Sequence, residues 1–268
     1  MNQESSQQNE IDNDSIYQYS STTDIDFDPS NIGILEEVIE ERTKSSKTFR
    51  KIDGSFETVI YNQNVHYNND GILKEIDNSL FSVGDEYENK GNKFKVKFPK
   101  FIDTNKKISF FENGYQIDWR IIDSNISDLT YTKKDIIPQT SSELVNVNQS
   151  IKYIEVLDNI DVEYVLYGDK LKENIIIKDY ISDFSIDFEF KTKGLKIIQD
   201  ENHKFIFVNS NGDTIYQFIE LFMIDSNDNF SNDILMEVIE SGNNTYRIRI
   251  TPSDSWLKEA TYPVLIDP

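Results

Sequence analysis

Short runs in which apolar and polar residues alternate recur along most of this chain. Phe94, Val96 and Phe98 alternate with Lys95 and Lys97, Ile186, Phe188 and Phe190 with Asp187 and Glu189, and Tyr246, Ile248 and Ile250 with Arg247 and Arg249. A two-residue period sends successive side chains to opposite faces, so each run predicts a strand with one buried and one solvated face. The same period organises residues 151–180, where Val162, Tyr164 and Leu166 alternate with Asp161, Glu163 and Val165. Gly168-Asp169 interrupts it, and residues 171–178 resume it with Ile175, Ile176 and Ile177 in a row. That pattern predicts a hairpin whose second strand is the more deeply buried.

Turn signals fall between these runs at strand spacing. Asp53-Gly54 separates 48–52 from 56–61, Asn69-Asp70-Gly71 separates 65–67 from 72–76, and Asn113-Gly114 separates 107–112 from 115–122. Lys193-Gly194, Asn211-Gly212 and Gly242-Asn243 punctuate the second half in the same way. Such pairs supply the positive φ that tight hairpin loops need. The expected fold is an all-β, antiparallel β-sandwich, two packed sheets being the way to hide the apolar faces. Ile34, Leu35, Val38 and Ile39 fit helical spacing and an edge strand equally well. Residues 1–33 are rich in Gln, Asn, Ser and Asp and are read as a disordered tail or linker. Residues 34–148 form a first β unit and 149–268 a second, or the two make one continuous sandwich; the polar stretch 130–148, with Pro138, is a long loop or the boundary between them.

Composition narrows the function classes. The chain carries 48 acidic and 27 basic residues, a net charge of −21, which argues against nucleic acid and against anionic lipid as partners. Its apolar share of 37% is low for a compact domain and agrees with an unstructured tail. With no cysteine, disulfides, thiolate zinc sites and cysteine nucleophiles are excluded. No apolar run approaches the roughly 20 residues of a membrane span, so no membrane insertion is expected. The first ten residues, MNQESSQQNE, lack a basic and apolar leader pattern, which points to a cytoplasmic protein or to a chain whose leader is gone.

Four segments carry a family resemblance: ERTKSSKTF at 41–49, followed by a DG hairpin; VHYNNDGILKEIDNSL at 65–80; Asp161, Tyr164, Lys172 and Glu173 with the isoleucine run; and WLKEATYPVLIDP at 256–268. In this order they resemble the N-terminal region of bacterial wall-associated, RHS (YD)-repeat and DNRLRE-domain surface proteins. Ile72-Leu73 departs from the tryptophan usual there. The resemblance implies a non-catalytic structural β module of a secreted or cell-wall protein, a scaffold or spacer ahead of downstream domains, in some cases of a polymorphic toxin. It also implies an excised segment of a longer protein. Its partners would be downstream domains of the same polypeptide and a cell-wall polymer or surface protein.

The candidate chemical residues each have a plainer structural account. His66 could act as a general base held by Asp77, yet no nucleophile motif accompanies it, and a packed, hydrogen-bonded ring is the reading adopted. His203 is read as a solvated turn residue. Asp225, Asp228 and Asp233 could form a loose calcium loop, but Phe230 and Met236 occupy the positions where an EF-hand needs Gly and Glu. Asp161 and Glu163 share a strand face and are the nearest thing to the carboxyl pair of a glycoside hydrolase, a second alternative to the carbohydrate- or protein-binding module. Trp119 and Trp256 are expected in the core rather than as sugar platforms. Lys172-Glu173 is read as a hairpin charge pair. The resulting expectation is no enzyme, with no catalytic, cofactor-binding or metal residue and no cofactor.

Overall fold

A computed structural model describes residues 33–131, 144–201, 204–218 and 220–267, apart from the Leu35 side chain. Among these, the alternating runs become two eight-stranded antiparallel sheets. The first runs from Ile234–Gly242 through Thr245–Pro252, Ile186–Lys193, Tyr115–Ile121, Ile108–Glu112, Lys95–Pro99 and Glu86–Gly91 to Asp77–Val83. The second runs from Phe230–Ser231 through Phe222–Ile224, Val264–Asp267, Lys170–Ile177, Ile160–Tyr167, Asn148–Leu157 and Ser127–Tyr131 to Phe101–Ile102. Both sheets therefore take strands from either side of residue 148.

Register shows why the two layers close. In the second sheet Tyr153 pairs with Val162, Val162 with Ile175, Ile175 with Ile266 and Ile266 with Met223. All five side chains are fully buried. The facing sheet presents Ile121, Phe188 and Ile248 in a matching row, and one apolar cluster unites the two sets. Each side chain of this size contributes about 1.5–3 kcal/mol on burial, which is what sets strand register against a one-residue slip. Tyr153 adds a polar tie between layers, its hydroxyl donating to the Pro99 carbonyl at 2.7 Å.

Most predicted strands and turns lie within a residue or two of their expected bounds. Asn113 (φ 51°) and Gly114 (φ 84°) form the tight loop joining Ile108–Glu112 to Tyr115–Ile121. At the last hairpin the left-handed pair is Asn243-Asn244 (φ 52° and 60°) rather than Gly242-Asn243, because the strand Ile234–Gly242 continues through the glycine. The open reading of 34–42 resolves into a strand, Ile34–Glu37, and a 3-10 turn, Ile39–Glu41. The tail expected at 1–33 lies outside the described residues except for Gly33, as does most of the polar stretch after residue 131.

Three smaller sheets complete the described structure. Ile34–Glu37, Ser46–Lys51 and Phe56–Ile60 make one, the hairpin His66–Asn69 with Ile72–Glu75 a second, and Lys196–Gln199, Phe205–Val208 and Thr214–Gln217 a third. Beside the first two, Tyr61, Val65, Ile76 and Val147 form a satellite apolar cluster. One element is absent from the sequence reading: a short helix, Asp254–Glu259, whose Leu257 is fully buried. Trp256 lies half-buried on this helix, and the Tyr262 hydroxyl donates to the Leu257 carbonyl at 2.6 Å, tying the helix to the chain that enters the closing strand Val264–Asp267.

Candidate functional site

The hairpin turn between Ile160–Tyr167 and Lys170–Ile177 is held more tightly than its connecting role requires. Gly168 sits at φ 56°, and a Cβ there would stand 2.6 Å from the Asn64 carbonyl oxygen, so the backbones meet at a distance only glycine permits. Two buried carboxamides grip the turn from below. The Asn78 and Asn92 Nδ2 groups each donate to the Gly168 carbonyl at 2.8 Å, Asn78 also donates to the Val147 carbonyl at 2.6 Å, and Asn92 donates to Asn78 Oδ1 at 3.0 Å. The Gly168 N–H is met by Asn148 Oδ1 at 3.1 Å.

Above this clamp lies an open polar cleft of about 300 Å³, lined by Tyr61, Asn62, Gln63, Asn64, Tyr167 and Asp169 among others. The Tyr167 hydroxyl donates to Asn62 Oδ1 at 3.3 Å. Burial works to raise the Asp169 pKa, but a hydrogen bond from Asn64 and the Lys93 ammonium, 3.3 Å away, outweigh it and hold the carboxyl below its ordinary range. Gln63 Oε1 is enclosed and meets no donor among the described residues. Burial, aided by the Glu37 carboxylate, pushes the Tyr61 hydroxyl up to about 12.

A second polar group lies between the sheets. Tyr164 is fully buried, its hydroxyl donates to Glu173 Oε1, and it accepts from Trp119 Nε1 at 3.3 Å. Glu173 retains some surface, but burial of its carboxyl pushes its pKa up to about 7, against the lowering effect of hydrogen bonds from Tyr164 and Trp119. Trp119 stacks on Phe190, with ring centroids 6.2 Å apart. The trio thus combines an aromatic wall with one carboxyl that exchanges its proton near neutrality.

The residues singled out in the sequence are placed as follows. His66 is buried, its Nδ1 bonded to the Thr43 carbonyl at 2.7 Å, and burial lowers its pKa. Its Nε2 lies 3.9 Å from Glu37, while Asp77, the expected partner, instead accepts from the Ser79 N–H and hydroxyl. His203 lies outside the described residues. Asp225 organises its loop by accepting from the Asn227, Asn229 and Thr261 N–H groups and from Asn229 Nδ2, all at 2.9–3.0 Å. Burial opposes ionisation there, but these bonds hold its pKa at about 2. Asp228 is exposed on the same turn and Asp233 on the next loop, beyond the strand Phe230–Ser231, and no group of three or more metal-ligating side chains occurs among the described residues.

Asp161 and Glu163 share the outer sheet face but have separate partners: Lys152 and Lys178 flank Asp161 at 3.1 and 2.9 Å, whereas Ser150 and Asn174 bond Glu163. Trp119 is in the core and Trp256 packs at its margin. Lys172 and Glu173 are not a pair. Adjacent strand residues point to opposite faces, so Lys172 reaches Asp267 at 2.5 Å while Glu173 turns inward. The inward phase of Leu171, Ile175 and Ile177 was the signal that would have placed Glu173 inside. The Asn78–Asn92–Gly168 clamp joins residues far apart in sequence and left no local signal.

No protein-family model and no solved structure matches this chain. It is 25% identical over 256 residues to the tRNA(Glu)-specific nuclease WapA of Bacillus subtilis subsp. natto (strain BEST195), and likewise to the tRNA nuclease WapA of Bacillus subtilis (strain 168), a match that takes in 91% of this chain and 11% of each relative. It is 24% identical over 197 residues to the wall-associated protein of Geobacillus stearothermophilus, covering 71% of this chain and 75% of that one. Two expectations change as a result. The expectation of no enzyme is overturned by relatives named as tRNA nucleases along most of this chain. The exclusion of nucleic acid weakens with it, since a net charge describes only the stretch it is summed over, and that stretch is 11% of such a relative. The chain is thus similar, through most of its length, to wall-associated bacterial proteins.

Proposed function

We propose that this chain is a β scaffold segment of a wall-associated bacterial polypeptide, with residues 34–268 acting as one continuous body that carries downstream domains. The observation that supports this most is the sharing of both large sheets between residues before and after position 148. A body closed in this way holds its strands from both parts of the chain in one frame. The resemblance to RHS (YD)-repeat and DNRLRE-domain proteins supports further domains as its partners, and the likeness to a wall-associated protein over 71% of the chain supports an extracellular, cell-wall location. For the polypeptide as a whole, the relatives' names support tRNA cleavage as the activity and tRNA as the substrate.

Cell fractionation tests the reading. The polypeptide carrying this chain is expressed in a Bacillus host as wild type and as Val162→Asp, which puts a charge in the centre of the core. The expected result is wild-type protein in the wall fraction and loss of the variant from it. Equal amounts of both in the wall fraction, with the variant segment unfolded by protease sensitivity, would end the scaffold reading. Cleavage of tRNA by the same wild-type material is expected, and its absence would remove the nuclease assignment while leaving the scaffold in place.

A further inference from the structure

We infer that the strand Phe56–Ile60 pairs with the same strand of a second copy of this chain, antiparallel and centred on Thr58. This goes beyond the scaffold reading and does not depend on it. An unpaired strand edge offers a row of free N–H and C=O groups, and proteins guard such edges with bulges, lysine, proline or extreme shortness. Of the three described edge strands of five residues or more, two are guarded. Asp77–Val83 and Ile234–Gly242 each carry an extra residue that interrupts the ladder, between Asp77 and Leu80 and between Val238 and Glu240. The third, Phe56–Ile60, runs in unbroken register against Ser46–Lys51 and contains neither lysine nor proline.

The side chains of this strand select a second copy as the occupant. Val59 packs on the satellite cluster, whereas Phe56 and Ile60, on the other face, are 63% and 70% exposed. Thr58 lies between them, its hydroxyl 3.0 Å from that of Thr48. With Thr58 on a twofold axis, Phe56 stands opposite Ile60 of the second copy, and Thr58 opposite its own counterpart. Aromatic–β-branched and Thr–Thr pairs are among those that stabilise antiparallel strands. Glu57 is the strand's one charge, and Lys51 already balances it at 2.5 Å. In this register it meets Val59 of the second copy, while centring on Glu57 would set two carboxylates face to face. The net charge of −21 makes two copies repel at a distance, so the association is weak and strengthens as salt screens it.

Sedimentation velocity on the full chain, from about 10 µM to about 300 µM in about 0.15 M salt, tests the inference. Wild type is expected to shift toward a dimer as its concentration rises. Phe56→Lys and Ile60→Glu, each at an exposed position, are each expected to weaken dimerisation about tenfold, since every substitution alters two symmetry-related pairs. Far-UV circular dichroism is expected to stay as in wild type. The two substitutions together place a new ammonium opposite a new carboxylate at both pairs, and the double variant is expected to recover most of the loss. Dimers lost in the single variants and regained in the double variant would support the twofold pairing. A dimer that both single variants leave intact, or a double variant as monomeric as the singles, would overturn it. So would wild type that stays monomeric throughout, which would leave the edge to a strand of a different protein.

Discussion

Individual side chains set the pH response of this fold, and two of them act in opposite directions. Glu173, with its pKa pushed up to about 7, holds a proton in the native chain that the unfolded chain has released above about pH 4.3. Stability from this group is therefore fully present below about pH 4 and falls as pH rises toward 7, with a slope of at most about 1.4 kcal/mol per pH unit. Glu173→Gln keeps an acceptor for the Tyr164 hydroxyl and is expected to flatten this slope in urea titrations run from pH 4 to 8. An unchanged slope in the variant would show that other groups produce it. Asp225 behaves in the reverse sense. Its pKa of about 2 lies below the ordinary aspartate value, so its contribution is present above about pH 4 and lost as pH falls toward 2. Asp225→Asn is expected to lower stability at neutral pH in urea unfolding and to flatten the decline below about pH 4.

Elements are joined by contacts that distance along the chain conceals. The hairpins could be read from the sequence because their two causes, alternation and a turn pair, are both local: Asn113-Gly114 and the runs on either side are contiguous. The inward carboxyl of Glu173 was legible in the phase of its strand and was misassigned by pairing it with its neighbour Lys172. The clamp on Gly168 was not legible, since Asn78 and Asn92 reach it across 90 and 76 residues. Nor was the helix Asp254–Glu259, which is too short to show a period and has no side-chain cap hydrogen bond at Ser253. Gly168→Ala is expected to cost about 1–3 kcal/mol, because it adds a clash with the Asn64 carbonyl to a left-handed φ. Gly212→Ala, where φ is also positive but nothing lies within 4 Å, is expected to cost about 1 kcal/mol. Asn78→Ala removes two buried hydrogen bonds, leaving the Gly168 carbonyl to Asn92 alone and the Val147 carbonyl to the Gly168 N–H, and is expected to cost about 1–3 kcal/mol in urea unfolding.

At the scale of the whole molecule, a net charge of −21 opposes compaction through self-repulsion, and salt screens it. The melting temperature is expected to rise as ionic strength increases toward about 0.5 M. A fall would mean that specific ion pairs such as Asp187 with Arg247 and Arg249 outweigh the repulsion. The scaffold reading asks for more than a stable fold, because residues before and after position 148 must stand or fall together if one body is to carry its neighbours. Urea unfolding of a Trp256→Phe chain, followed by Trp119 fluorescence and by far-UV circular dichroism, measures this directly. Trp119 reports the shared core and dichroism reports all the strands. Coincident curves with one midpoint are the predicted result. Two separated transitions, one for each half of the chain, would contradict the account.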